Sequence, residues 1–147
     1  MRKRIYVDMD DVLCDYFKAA SLAILKNPNQ PYPQSKWSFY LDLEEIPGAI
    51  EGFRKLQDKY DVWILTRPSF YNINSFSEKA QWVLNHLGFE IVQKTIMCGD
   101  KSLLKGDYLI DDMTNAGQLD FEGEFIEFGS NKFPDWTTVT EYLMNKE

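Results

Sequence analysis

Arg4-Ile5-Tyr6-Val7-Asp8-Met9-Asp10-Asp11-Val12 is a short β-branched and aromatic run that ends in three carboxylates within four residues. Alternate positions of a strand share a face, so Asp8 and Asp10 point the same way if the extended chain continues past Val7. Gathering negative charge at the end of a buried hydrophobic strand is costly unless a positive group compensates it. Hard oxygen ligands suit Mg²⁺, which makes a divalent cation one compensator. A solvated acidic turn is the other reading of the same residues. What stands at the ends of the remaining strands decides between the two.

Working outward, residues 17–26 are rich in Ala and Leu and read as a helix stopped by Asn27-Pro28. Residues 27–46 carry prolines, asparagines and an aromatic cluster, and read as an irregular insertion. Pro47-Gly48 opens a second helix over 49–59, with Ile50, Phe53 and Leu56 on one face. The apolar run 61–65 reads as a buried strand ending in Thr66-Arg67-Pro68-Ser69. Residues 78–87 return to helical spacing, with Gly88 as the stop. A weaker strand is predicted over 91–97, a further one over 108–110 ending in Asp111-Asp112, and a last one over 124–128. Asp135 caps a closing helix that runs to about Met144. Strands alternating with helices predict βαβ units: an α/β, Rossmann-like three-layer fold around a parallel sheet. Right-handed crossovers then bring every carboxyl end to one edge, where such sheets bind ligands.

Four of these strand ends carry polar groups of one chemistry. The first ends at Asp8 and Asp10, the second at Thr66, the third near Lys101, and the fourth at Asp111 and Asp112. Phosphoryl transfer uses all of them: a carboxylate to attack phosphorus, others to hold a metal, a hydroxyl and N–H groups to cradle the phosphate, and a lysine to offset charge.

Composition narrows the classes further. At 147 residues the chain is one domain, with 44% hydrophobic and 27% charged residues, ordinary for a globular protein. A net charge of −7, from 16 basic and 23 acidic residues, argues against binding nucleic acid, which calls for a basic stripe. It is compatible with one anionic small molecule, because a bound cation inverts the local field. Cys14 and Cys98 make no framework and no CxxC pair, so reduced thiols are expected. After Met1-Arg2-Lys3-Arg4 only Ile5, Tyr6 and Val7 precede the acids, too few for a signal-peptide core. No apolar run reaches the roughly 18 residues of a membrane span. A soluble, cytoplasmic protein is the expectation.

The pattern Asp8-Met9-Asp10-x-Val12, Leu65-Thr66, Asp100-Lys101 and Ile110-Asp111-Asp112 resembles the haloacid dehalogenase superfamily of phosphatases. More narrowly it resembles the 5′(3′)-deoxyribonucleotidases, through Asp8-Met9-Asp10-Asp11-Val12-Leu13, Pro47-Gly48-Ala49, Glu78-Lys79-Ala80-Gln81-Trp82-Val83 and Asp107-Tyr108-Leu109-Ile110-Asp111-Asp112. The likeness runs from about residue 4 to residue 116. It implies a Mg²⁺-dependent phosphomonoesterase acting on nucleoside monophosphates, with a small helical cap, about residues 14–46, inserted after the first strand. Asp8 would be the nucleophile and a metal ligand. Asp10 would be the general acid, then the base, with its carbonyl on the metal. Thr66 and the N–H of Arg67 would bind phosphate, and Lys101 would bridge Asp8 and the phosphate. Asp112 would complete the metal shell, with Asp111 a second acidic contact.

The chain departs from that pattern in two places. Asp11 stands where many relatives carry glycine, and its carboxylate either aids metal binding or faces solvent, the second being favoured. The insertion is also shorter than in the better-known nucleotidases, and it is the part that selects substrate. Its aromatics, Tyr16, Trp37, Phe39 and Tyr40, form either a stacking wall for a nucleobase or the insertion's own core. Tyr16 and Trp37 are the substrate-binding candidates. Arg67 has either a phosphate-binding or an exposed side chain, and Lys105 competes with Lys101 for the lysine role. His86 and Cys14 are read as structural, and Trp63 and Trp82 as core. Three other readings remain: a phosphatase for another small metabolite, a receiver-type module that accepts phosphate as a signal, and a catalytically silent binding domain.

Overall fold

Ile5, Val7, Val62, Ile64, Ile110 and Ile126 belong to one large buried cluster, while Tyr6, Leu65 and Leu109 belong to a second, smaller one. That split at every other residue is the period-2 signature of strands buried on both faces, which is why the runs read as almost wholly apolar. The computed structural model describes all 147 residues, Met1 to Glu147. Its strands are β1 (Arg4–Val7), β2 (Asp61–Thr66), β3 (Thr95–Met97), β4 (Tyr108–Asp111) and β5 (Glu124–Glu127). They form one sheet in the order β3-β2-β1-β4-β5, every pair parallel. The order reverses beside β1, so the carboxyl ends of β1 and β4 flank the crevice where such sheets bind ligands.

The helices are α1 (Tyr16–Lys26), α2 (Ala49–Gln57), α3 (Ser75–Leu87), α4 (Phe89–Val92) and α5 (Trp136–Met144). Phe53 and Leu56 of α2, Trp82 and Val83 of α3, and Trp136, Val139 and Leu143 of α5 cover the larger face. The other face carries a thinner layer, in which Phe121 and Leu104 pack beside the 3₁₀ turns Lys101–Leu103 and Gln118–Asp120. The fold is three-layer α/β, Rossmann-like. Asp135 accepts the Thr138 N–H at 2.8 Å as the predicted cap of α5. No helix is long and apolar enough to cross a membrane.

Two expectations fail locally. The strand predicted over 91–97 is shortened to Thr95–Met97, because the chain after Gly88 (φ 89°) makes one more helical turn. That turn seats Ile91, 1% exposed, in the core. Trp63 is only half-buried: it lies under the thin layer, with Arg4 and Lys94 each 5.5 Å from its ring centroid.

Between β1 and α2 the chain leaves at Cys14 and returns at Glu45, which pair in an antiparallel bridge. The Asp15 N–H donates to the Glu44 carbonyl and that of Ile46 to the Leu13 carbonyl, both at 2.8 Å. The segment between these two crossings leaves and returns through one narrow base. Trp82 fastens it from α3, its indole donating to the Leu43 carbonyl at 2.8 Å.

Candidate active site

Asp8 continues β1 by one rung, its N–H donating to the Ile110 carbonyl at 2.9 Å. The chain then turns sharply, with the N–H groups of Val12, Leu13 and Cys14 converging on the Met9 carbonyl. Asp11 takes φ 60°, the left-handed region that suits glycine and that aspartate tolerates better than most residues. Its carboxylate does not merely face solvent as expected. It accepts the Phe17 N–H at 2.8 Å and so helps to start α1.

Lys101 reaches Asp8 from the turn after β3. Its N–H donates to the Ala116 carbonyl at 2.8 Å, tying that turn to the loop after β4. Its side chain is 2% exposed and donates to Asp8 Oδ1 at 2.8 Å and to Asp111 Oδ2. Burial weakens the ammonium, but the charges of Asp8 and Asp111 outweigh that and raise its pKa. Lys105 is exposed and only its carbonyl is engaged, by the Tyr6 hydroxyl.

The adjacent acids Asp111 and Asp112 are not equivalent. Asp111 is fully buried: Gln118 joins Lys101 on Oδ2 at 3.2 Å, and the Met113 N–H donates to Oδ1 at 3.0 Å. Asp112 Oδ1 is buried with no hydrogen-bond partner. Burial, then the charges of Asp8 and Asp111, push the Asp112 carboxyl well above the usual carboxylate range. Asp8, Asp111 and Asp112 each offer an oxygen within 4.8 Å of the others. An orphaned carboxylate oxygen in an all-oxygen cluster is a donor set that fits a hard divalent cation.

Thr66 closes β2 with no solvent exposure, and its Oγ1 accepts from Lys79 Nζ at 2.9 Å. Lys79 also donates to Asp10 Oδ2 at 3.0 Å and lies 4.8 Å from the centroid of the Tyr40 ring. Sequence reasoning gave Lys79 no role. The signal was there: Ser75, Lys79, Trp82 and Val83 share the buried face of α3, and a lysine on an apolar face needs a partner. Cys14, with no exposure, donates its thiol to Asp10 Oδ1 at 3.6 Å. His86 pairs with Glu45 at 2.6 Å and stacks on Trp82, away from these groups.

A cavity of about 330 Å³ opens over Asp8, Asp10, Lys101 and Asp112, with Tyr16 and Arg67 in its wall. Tyr16 packs against Phe39 and Tyr40 with ring centroids 5.6 and 6.2 Å away, so it is at once insertion core and cavity wall. The Arg67 guanidinium lies 5.4 Å from the Phe70 ring centroid. Trp37 is not brought to the site. It is 69% exposed and lines a separate cavity beside Lys26 and Lys36, because the turn at Ser38 (φ 71°) separates it from Tyr40. Phe70 and Tyr71, from the loop after β2, line the main cavity instead.

The family profile described as 5′ nucleotidase, deoxy (Pyrimidine), cytosolic type C protein matches residues 31–135. A protein of Vibrio phage KVP40 that carries a 5′(3′)-deoxyribonucleotidase name is 35% identical over 97% of this chain and 85% of its own. The human 5′(3′)-deoxyribonucleotidase, cytosolic type, is 33% identical over 74% of this chain and 70% of its own. Among solved structures, a haloacid dehalogenase-like family hydrolase from Xanthomonas campestris shares the fold at a TM-score of 0.60. That match has 11% identity and covers 97% of this chain and 95% of that one. By profile and by relatives, the chain belongs to the deoxy-type 5′ nucleotidase family.

Proposed function

We propose that the chain is a Mg²⁺-dependent phosphomonoesterase that hydrolyses nucleoside monophosphates, deoxyribonucleotides foremost, in the cytoplasm. The observation that carries this reading is Asp8: Lys101 holds one of its oxygens at 2.8 Å, at the floor of a cavity walled by Tyr16 and Arg67. Asp8 attacks phosphorus as the ester P–O bond breaks, giving an aspartyl-phosphate and a leaving alkoxide. Asp10 protonates that alkoxide, then takes a proton from the water that attacks the aspartyl-phosphate, which releases inorganic phosphate and regenerates Asp8. Lys101, Thr66 and the Arg67 N–H neutralise and orient the phosphate oxygens. Asp8, the Asp10 carbonyl and Asp112 are the groups that would hold Mg²⁺, with Asp111 behind Lys101. When bound, the cation supplies charge neutralisation at the phosphate. Residues 14–46 serve as the cap of a single domain spanning 1–147. Asp10 beside Asp8 favours turnover over a receiver-type role, in which the aspartyl-phosphate persists.

The test is phosphate release from deoxyribonucleotides, ribonucleotides and sugar phosphates, with Mg²⁺ and with EDTA. Mg²⁺-dependent release concentrated on deoxyribonucleotides and abolished in Asp8→Asn is the expected result. Release confined to sugar phosphates, or near-full turnover by Asp8→Asn, overturns it.

A further inference from the structure

Glu78 is a carboxylate for which the chemistry above has no use, yet it is 3% exposed. It sits on α3 one residue before Lys79. A buried carboxylate is costly unless donors surround it, and its donors here come from the insertion. Glu78 Oε1 accepts the Ser38 N–H at 2.6 Å, and Oε2 accepts the Tyr40 N–H at 3.3 Å. Asn72, 4% exposed on the loop that leads into α3, acts on the same segment. Its amide donates to the carbonyls of Gln34 at 3.3 Å and Lys36 at 3.2 Å, while its own oxygen accepts the Asn74 N–H. Two buried polar side chains of the core thus grip residues 34–40 at four backbone positions.

The gripped segment carries Gln34 and Tyr40, both of which line the cavity. The end of the cavity that holds Asp8 and Lys101 is built separately, at the end of β1 and on the turn after β3. The two ends of the cavity therefore depend on different supports. Consecutive residues of α3 serve both, since Glu78 holds the insertion and Lys79 holds Asp10.

We infer that Glu78 and Asn72 are positioning residues that latch the insertion over the cavity at one height. The latch presents a preformed wall to whatever lies beyond the phosphate, and so sets discrimination between leaving groups. The inference rests on the phosphatase reading above and goes beyond it by assigning selectivity to two residues that touch no substrate.

Glu78→Gln keeps the shape and removes the charge, and Asn72→Ala removes the second grip together with the bond to the Asn74 N–H at the start of α3. The readout is the ratio of kcat/KM for a deoxyribonucleoside monophosphate to that for p-nitrophenyl phosphate, whose leaving group has neither sugar nor base, in the Mg²⁺-loaded protein. Loss of one charge-assisted hydrogen bond is expected to lower that ratio roughly ten-fold in Glu78→Gln. The fall should lie in KM more than in kcat. Hydrogen exchange of the Ser38 and Tyr40 amides should speed up in parallel, which a purely global loss of stability would not confine to these positions. A ratio unchanged in both variants overturns the selectivity role, and unchanged amide exchange overturns the latch itself. If the unaltered protein cleaves neither compound, the phosphatase reading fails and selectivity falls with it, while amide exchange still decides the latch. Thermal midpoints identify a variant that fails to fold, in which case the other variant decides.

Discussion

Lys79 places its ammonium 3.0 Å from Asp10 Oδ2 although its side chain has no solvent exposure. Burying the polar end of a lysine is costly unless partners replace its water. Here Asp10, the Thr66 hydroxyl and the face of Tyr40 do so. The site thus holds two buried ammoniums, Lys79 against Asp10 and Lys101 against Asp8 and Asp111. They offset the carboxylates gathered at the ends of β1 and β4, and they also fix where those carboxylates point.

Lys79→Met is therefore expected to slow turnover by about 10²-fold, the scale on which a mispositioned general acid is felt. Asp10 is 25% exposed in its side chain and can rehydrate. The stability cost should therefore be about 2 kcal/mol, below the roughly 3–5 kcal/mol of breaking a fully buried pair. Lys79→Arg should not rescue turnover, since a rigid planar guanidinium does not repeat the contacts that the ammonium makes with Asp10 and the Thr66 hydroxyl. Steady-state kinetics and thermal denaturation of both variants check this, and near-full turnover by Lys79→Met would sink it.

Asp111 and Asp112 should separate cleanly under mutation. Asp111→Asn leaves Lys101 short of a counter-charge in a buried site, at a cost of about 3 kcal/mol whether or not metal is present. Asp112→Asn removes a part-buried carboxyl whose charged form burial and the charges of Asp8 and Asp111 disfavour, so in EDTA its thermal midpoint should match or exceed the unaltered protein's. Mg²⁺ at 100 times its dissociation constant should stabilise the unaltered protein by about 2.7 kcal/mol and Asp112→Asn hardly at all. Melting curves with EDTA and across a Mg²⁺ titration decide it. An Asp112→Asn variant that gains as much from Mg²⁺ as the unaltered protein would remove Asp112 from the metal site.

The strands and the polar groups at their ends were legible because each is local: a short apolar run, then an acid, a threonine or a lysine. Asp8, Thr66, Lys101 and Asp112 needed only the rule that parallel strands end on one edge. Lys79 and Glu78 were not legible in that way, because their meaning lies across the chain, in Asp10 and in the Ser38 and Tyr40 amides. Only their position on the buried face of α3 hinted at partners. The position of Trp37 was not legible for the converse reason. Nearness in sequence to Tyr40 says nothing of direction once Ser38 adopts a left-handed turn.

Asp61 supplies a test by pH. Burial alone would raise its carboxyl, but hydrogen bonds from Lys94, Trp63 and Arg4 win and hold it at about 2. A folded-state value below the unfolded one stabilises the protein above the unfolded pKa, and that stability is lost as pH falls through the folded value. The window is therefore from about pH 4 down to about 2. Asp61→Asn should cost about 1 kcal/mol at pH 7, after allowing for the screening of a partly exposed group. The difference from the unaltered protein should shrink toward zero by about pH 2. Denaturant melts at several pH values measure it, and a difference constant across that window would show that Asp61 carries no linked proton.

Gly117 ties the backbone to the chemistry. It takes φ 85°, and a Cβ there would lie 2.1 Å from Asp100 Oδ1, 2.8 Å from the Ser102 nitrogen and 3.1 Å from the Lys101 nitrogen. Asp100 cannot swing aside freely, because it accepts from both the N–H and the hydroxyl of Ser102. Gly117→Ala must therefore push the Lys101 turn away from Ala116, and with it the ammonium that holds Asp8. Gly129 supplies the control, since it has nearly the same φ, 86°, and nothing within 4 Å of an added Cβ. Gly129→Ala should show only the backbone cost, about 1–2 kcal/mol, with turnover unchanged. Gly117→Ala should cost more than that and lower kcat at least ten-fold. If both variants lost equal stability and kept full turnover, the contact between the two loops would have no part in placing Lys101.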